Sequence, residues 1–167
     1  MVTALARTAP AAPTPAVPPS VDELMVALAE VADPEIPAIS IVDLGIVHRA
    51  ELAADGRIEV ELLPTFVGCP AIDAIRLAVG ERLATFGRRV DVSITFEVPW
   101  TSERITATGR RRLRDSGFAP PAEPRDVRCP FCDSPNVAMD SAFGPTLCRS
   151  LFYCRTCRQP FESFKAV

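Results

Sequence analysis

The chain has 167 residues, is 48% hydrophobic and 23% charged, and carries a formal net charge of −3. That length suits one modest domain with a small appendage, and that charge gives no general attraction to nucleic acid or anionic membrane. No apolar run approaches the roughly 20 residues that span a bilayer, and the opening residues lack the continuous apolar core of a secretory signal.

Residues 1–19 are rich in Ala and Pro, which predicts a disordered arm. A helix is expected from Ser20, where Ser20 and Glu23 form a capping-box pattern ahead of an apolar stripe at Val21, Leu24, Leu28 and Val31. The Asp33-Pro34 step should end it. Two strands follow, Ile46 to Leu52 and Arg57 to Leu63, joined through Asp55-Gly56. Ile58, Val60 and Leu62 alternate with Glu59 and Glu61, so one face of the second strand reads as buried. Pro64 to Pro70 reads as a loop. A second helix should run from about Pro70 to Phe86, with Ile72, Ile75, Val79 and Leu83 inward and Gly87 at its end. A third strand covers Val90 to Phe96. A third helix begins near Ser102, turns Ile105 and Leu113 inward, and stops at Gly117.

This order predicts an α+β fold, a small mixed sandwich with helices over a sheet. It occupies residues 20–118, is followed by a Pro-rich linker at 119–125, and ends in a cysteine-rich unit at 126–167.

Five of the six cysteines lie after Arg128. Cys129-Pro-Phe-Cys132 and Cys154-Arg-Thr-Cys157 are two CxxC turns at the spacing of a four-cysteine zinc ribbon. Four thiolates close a tetrahedral shell with no position for a catalytic water, so the metal, zinc or a single iron, is structural. Phe131, Phe152, Phe161 and Phe164 are expected to pack around it. Two redox CxxC pairs are the competing reading, but neither pair lies in a βαβ unit. Thiols held for metal imply a reducing, cytoplasmic compartment. Cys148 is either a small buried side chain or a spare ligand.

Cys69 stands apart, just ahead of the second helix, where Pro70 suits the first helical position and the helix dipole would favour thiolate. It is a candidate soft ligand or nucleophile, and a packed core cysteine is the bland alternative. His48, the single histidine, reads as a surface or packing residue. Asp33, Glu35 and Asp43 read as turn formers. Arg110-Arg111-Arg112-Leu113-Arg114 reads as a solvated basic face. With Arg149, Arg155 and Arg158 it gives a weaker alternative, a ribbon module that binds nucleic acid or protein.

Three segments together resemble a known family: Asp33-Pro34-Glu35-Ile36-Pro37, Ser40 to Val47, and Pro64-Thr65-Phe66-Val67-Gly68-Cys69-Pro70. They are similar to the α+β domain of SufT-like iron–sulfur cluster assembly factors. Joined to a C-terminal ribbon, the pattern resembles the PaaD-like accessory subunits of bacterial phenylacetyl-CoA epoxidase systems. Trp100-Thr101-Ser102 and Gly117 to Pro121 fit that subfamily, whereas Phe66-Val67 stands where it usually has Tyr-Ser. The resemblance implies that Cys69 is the functional thiol, a transient ligand for iron or an iron–sulfur cluster, alone or with a second Cys69 across a homodimer. Asp33, Glu35 and Thr65 would be accessory to it. It also implies maturation of metal centres, not epoxidation, with the other epoxidase subunits, especially the iron–sulfur reductase, as partners.

Overall fold

Helix α1 (Val21–Leu28) starts where its sequence predicts. The Ser20 hydroxyl accepts the Glu23 backbone N–H at 3.2 Å, and the Glu23 carboxylate accepts the Ser20 backbone N–H at 2.8 Å. This reciprocal cap pairs two backbone donors at the helix start, one of them from the first turn, which has no partners within the helix. Leu24 and Leu28 are fully buried, but Val21 is 54% exposed, so the apolar stripe is narrower than expected. The structure is a computed structural model that describes residues 17–167. The expected arm lies outside the described residues as far as residue 16, and Pro19 is already buried.

Strands β1 (Val47–Leu52) and β2 (Ile58–Leu62) form the expected antiparallel hairpin. Gly56 sits in its turn at φ +84°, which glycine adopts without steric cost. Helix α2 (Ile72–Ala84) then crosses over to β3 (Val90–Ile94), which runs parallel to β2. The sheet order is β1-β2-β3. Ile58, Val60 and Leu62 on the central strand are buried with Leu24, Leu28, Ile75, Val79 and Leu83 in one core. Strand β3 ends before Phe96, which is 63% exposed and not on the inner face as the alternation suggested.

The third helix begins later than expected. Ser102–Arg104 form a single 3₁₀ turn, and α3 (Ala107–Asp115) starts after Thr106, whose hydroxyl accepts the Gly109 N–H at 2.9 Å. Ile105 and Leu113 are buried as predicted. Asp43 anchors this helix: its carboxylate accepts from the Thr106 hydroxyl at 2.7 Å and from Arg112 at 2.9 Å.

Of the expected linker, residues 119–122 lie in a strand and only 123–125 lie outside it. Phe118–Ala122 form β4, which pairs in parallel with β7 (Pro160–Lys165). With β5 (Val137–Ser141) and β6 (Arg149–Cys154) they make a sheet of order β4-β7-β6-β5. Pro120 and Pro121 lack N–H donors, yet β4 is an edge strand and tolerates them, while Ala119 is buried. Sequence composition marked the prolines but not the pairing.

Alternation along β7 gives it two allegiances. Phe161 faces the cysteines, stacked on Phe152 with ring centroids 5.7 Å apart. Phe164 points the other way and joins the main core. So Phe164 does not surround the metal site as expected, and Phe131, 55% exposed, does not either. The expected α+β architecture with a C-terminal ribbon is the one observed, but the two units share a core.

Gly109 is the tightest point of the α3 docking. A Cβ there would lie 2.5 Å from the Asp43 carbonyl oxygen. Alanine favours helices over glycine by about 1 kcal/mol, yet Gly109→Ala is expected to lower the urea unfolding midpoint. An unchanged or raised midpoint would contradict the close packing.

Candidate metal centre and the Cys69 site

The ribbon cysteines come together as their spacing predicts. All four sulfurs lie within 4.8 Å of one another. Cys129 and Cys157 are 3.6 Å apart, as are Cys132 and Cys154. A tetrahedron with zinc–sulfur bonds of about 2.3 Å has edges of about 3.8 Å. The two turns are built alike. Asp133 and Arg158, one residue past each CxxC, adopt left-handed φ values of 56° and 61°. Each donates its N–H to the carbonyl of the first cysteine at 2.9 Å. These reversals aim further N–H groups at the sulfurs.

The electrostatics suit a metal. Backbone N–H groups of Cys157 and Thr156 hold Cys154 down to about 6. Burial and the neighbouring thiols push Cys157 up to about 12, so the four cannot all ionise without a cation. Burial likewise raises Cys129. The donor set fits zinc or a single iron, which would hold the turns by four thiolates and supply folding free energy in place of a large core.

Cys69 lies in a turn before α2. Its N–H donates to the Phe66 carbonyl at 3.1 Å, and its own carbonyl accepts from Ile72 at 3.3 Å. Pro70 precedes the cap residue Ala71 and does not occupy the first helical position. The thiol is half-buried, and burial pushes its pKa up. The Ala71 N–H and the Thr65 hydroxyl oppose this, whereas charge on Cys148 and Glu35 adds to it. The expected dipole-activated thiolate is therefore not what the surroundings favour, because desolvation outweighs the amide contribution.

The accessory carboxylates divide. Asp33 is buried and shapes the loop, its carboxylate accepting from the Glu35 and Ile36 N–H groups at 2.8 and 2.9 Å. Glu35 faces the Cys69 region and accepts from Arg149 of the ribbon at 2.7 Å. Arg149 also reaches Glu162 at 2.9 Å, and its side chain is only 7% exposed. Burial works to lower the Arg149 pKa, but Glu162 and Glu35 raise it on balance. Sequence reading assigned Arg149 to a basic surface. Its place at the head of an apolar strand, beside Cys148, was the available signal.

Three arginines of the basic run are occupied. Arg110 donates to the Ser102 and Pro121 carbonyls, and Arg112 and Arg114 pair with Asp43 and Asp133. His48 is exposed on β1. No helix among the described residues is long and apolar enough to cross a membrane.

Two outcomes follow from this geometry. Metal removal by a chelator should erase NMR dispersion across β5 and β6 while the core around Leu28, Leu62 and Leu83 persists; an intact metal-free ribbon would contradict a metal-dependent fold. A raised pKa means less thiolate at neutral pH. Cys69 in the metal-loaded protein should therefore alkylate more slowly at pH 7 than a free cysteine and gain rate above the usual thiol range. Faster alkylation at pH 7 would contradict it.

Comparison with known proteins agrees with both halves. Residues 22–96 match the family model described as iron-sulfur cluster assembly protein, and residues 114–165 match the PaaD zinc beta ribbon domain. A protein of Escherichia coli K12 named as a component of 1,2-phenylacetyl-CoA epoxidase is 37% identical over 158 residues, 90% of this chain and 95% of that protein. An Fe-S protein maturation auxiliary factor of Bacillus subtilis is 31% identical over 87 residues, 51% of this chain and 84% of its own. A crystal structure of a domain of unknown function, DUF59, from Bacillus anthracis is 26% identical with a TM-score of 0.51, covering 56% of this chain and 90% of that one. The chain therefore belongs to the PaaD family of phenylacetyl-CoA epoxidase components, in which an iron–sulfur assembly domain carries a zinc ribbon.

Proposed function

We propose that this chain is an accessory maturation factor for a phenylacetyl-CoA epoxidase system in aerobic phenylacetate degradation. Cys69 acts as a transient ligand for iron or an iron–sulfur cluster passing to a client, most directly the iron–sulfur reductase of that system. The ribbon is structural and provides docking surface, and the protein works in the reducing cytoplasm. Two relatives named as Fe-S protein maturation auxiliary factors align with about half of the chain, and the relative named for the epoxidase aligns with nearly all of it.

The observation that carries this reading is the environment of Cys69. Its thiol is half-buried, its pKa is raised, and its polar neighbours are the Ala71 N–H, the Cys148 thiol, the Thr65 hydroxyl and the Glu35 carboxylate. A nucleophilic cysteine needs a lowered pKa or a general base beside it, and the single histidine is exposed on β1. A thiol with a raised pKa still ionises when a metal displaces its proton. That favours a ligand over a nucleophile. The nucleic-acid reading is weakened by the internal engagement of Arg110, Arg112, Arg114 and Arg149.

The test is Cys69→Ser in cells that express the epoxidase system. The expected outcome is an unchanged melting temperature and full ribbon metal, with lower iron and sulfide content in the purified reductase. Full cluster occupancy in that strain would contradict the proposal.

A further inference from the structure

One thiolate and a carboxylate are a thin ligand set for a soft or borderline cation, which prefers at least two sulfurs. The second sulfur need not come from another copy of the chain. Cys148, at the entry to β6, is partly buried against the same core as Cys69. The two backbones are clamped on both sides. On one side Arg149, next in sequence to Cys148, holds Glu35 at 2.7 Å. On the other, Lys165 spans from the ribbon to the Cys69 loop. Its N–H donates to the Cys148 carbonyl at 2.9 Å and its ammonium to the Leu147 carbonyl at 2.8 Å. That same ammonium lies 6.0 Å from the centre of the Phe66 ring, and the Phe66 carbonyl accepts the Cys69 N–H.

Each thiol also has a hydroxyl beside it. Thr146 Oγ1 is 3.2 Å from Cys148 Sγ, and Thr65 serves Cys69. The buried Arg149 Nε has no hydrogen-bond acceptor. A buried donor without a partner costs roughly 1–3 kcal/mol, and a thiolate held at a metal is a fitting acceptor for it.

We infer that Cys69 and Cys148 form one two-thiolate site for a thiophilic divalent cation, spanning the assembly domain and the ribbon, with Glu35 as the adjacent carboxylate. Binding forms two metal–sulfur bonds and releases two thiol protons to solvent. No electron is transferred. The cation and Arg149 together offset all but one of the negative charges of the two thiolates, Glu35 and Glu162. The inference rests on the reading of Cys69 as a metal ligand and adds the ribbon as its other half.

The test uses anaerobic, zinc-loaded full-length chain titrated with cobalt(II). Thiolate-to-cobalt charge transfer is read in the near ultraviolet, and cysteine alkylation is mapped by mass spectrometry. One cobalt per chain beyond the zinc is expected, with both Cys69 and Cys148 protected from alkylation. Cys69→Ser and Cys148→Ser should each lose that cobalt and keep the ribbon zinc. Protection mapping on the unaltered chain keeps the test decisive should a variant fold poorly. Cobalt uptake that protects Cys69 alone, or that survives in Cys148→Ser at half the stoichiometry, overturns the shared site in favour of two copies meeting at Cys69. It leaves the metal role intact. No uptake at all overturns both.

Discussion

Arg149 is buried, and a buried cation must be paired. Its guanidinium is held by Glu162 on the neighbouring strand and by Glu35 on the assembly domain. Leaving either carboxylate behind would strand charge in a poorly solvated place, at a cost of several kcal/mol. The rings of Phe118 and Phe164 lie against the same guanidinium, 5.1 and 5.8 Å from their centres, adding cation–π attraction. These contacts restrict where the ribbon can sit. It must place the start of β6 against the loop that carries Glu35.

The four-cysteine centre has a supporting part in this arrangement. The thiolates and their amide donors fix the two turns, the turns fix β5 to β7, and β7 carries Phe161 towards the metal and Phe164 towards the main core. A metal-held ribbon can thus act as a rigid bracket. It is a small unit that could not bury enough surface alone, yet it shares part of the larger core. The same construction explains why α3 runs into β4 without a linker. Asp43 and Gly109 lock the helix to the assembly domain, and Gly117 turns the chain at φ +85° into the ribbon's edge strand.

Local signals were legible in the sequence because local physics determined them. The Ser20–Glu23 cap, the alternation of Ile58, Val60 and Leu62, the i, i+4 spacing of Ile75, Val79 and Leu83, and the CxxC pairs all act over a few residues. What the sequence concealed depends on contacts between distant residues. Glu35 and Arg149 are 114 positions apart, and Asp43 and Thr106 are 63 apart. Nothing in either neighbourhood announces the other. The Pro120-Pro121 pair misled for a different reason: prolines mark linkers in general, but an edge strand tolerates them. Cys69 misled through magnitude. The helix start does lower its pKa, and burial raises it by more.

The Arg149–Glu35 contact joins the two units energetically, so that the Cys69 region is shared between them. A double-mutant cycle on the zinc-loaded chain, with Glu35→Ala, Arg149→Ala and the double variant unfolded in urea, measures that coupling directly. A favourable interaction of about 1–3 kcal/mol between the two positions is expected. Effects that add within about 0.3–0.5 kcal/mol, as independent sites do, would contradict it.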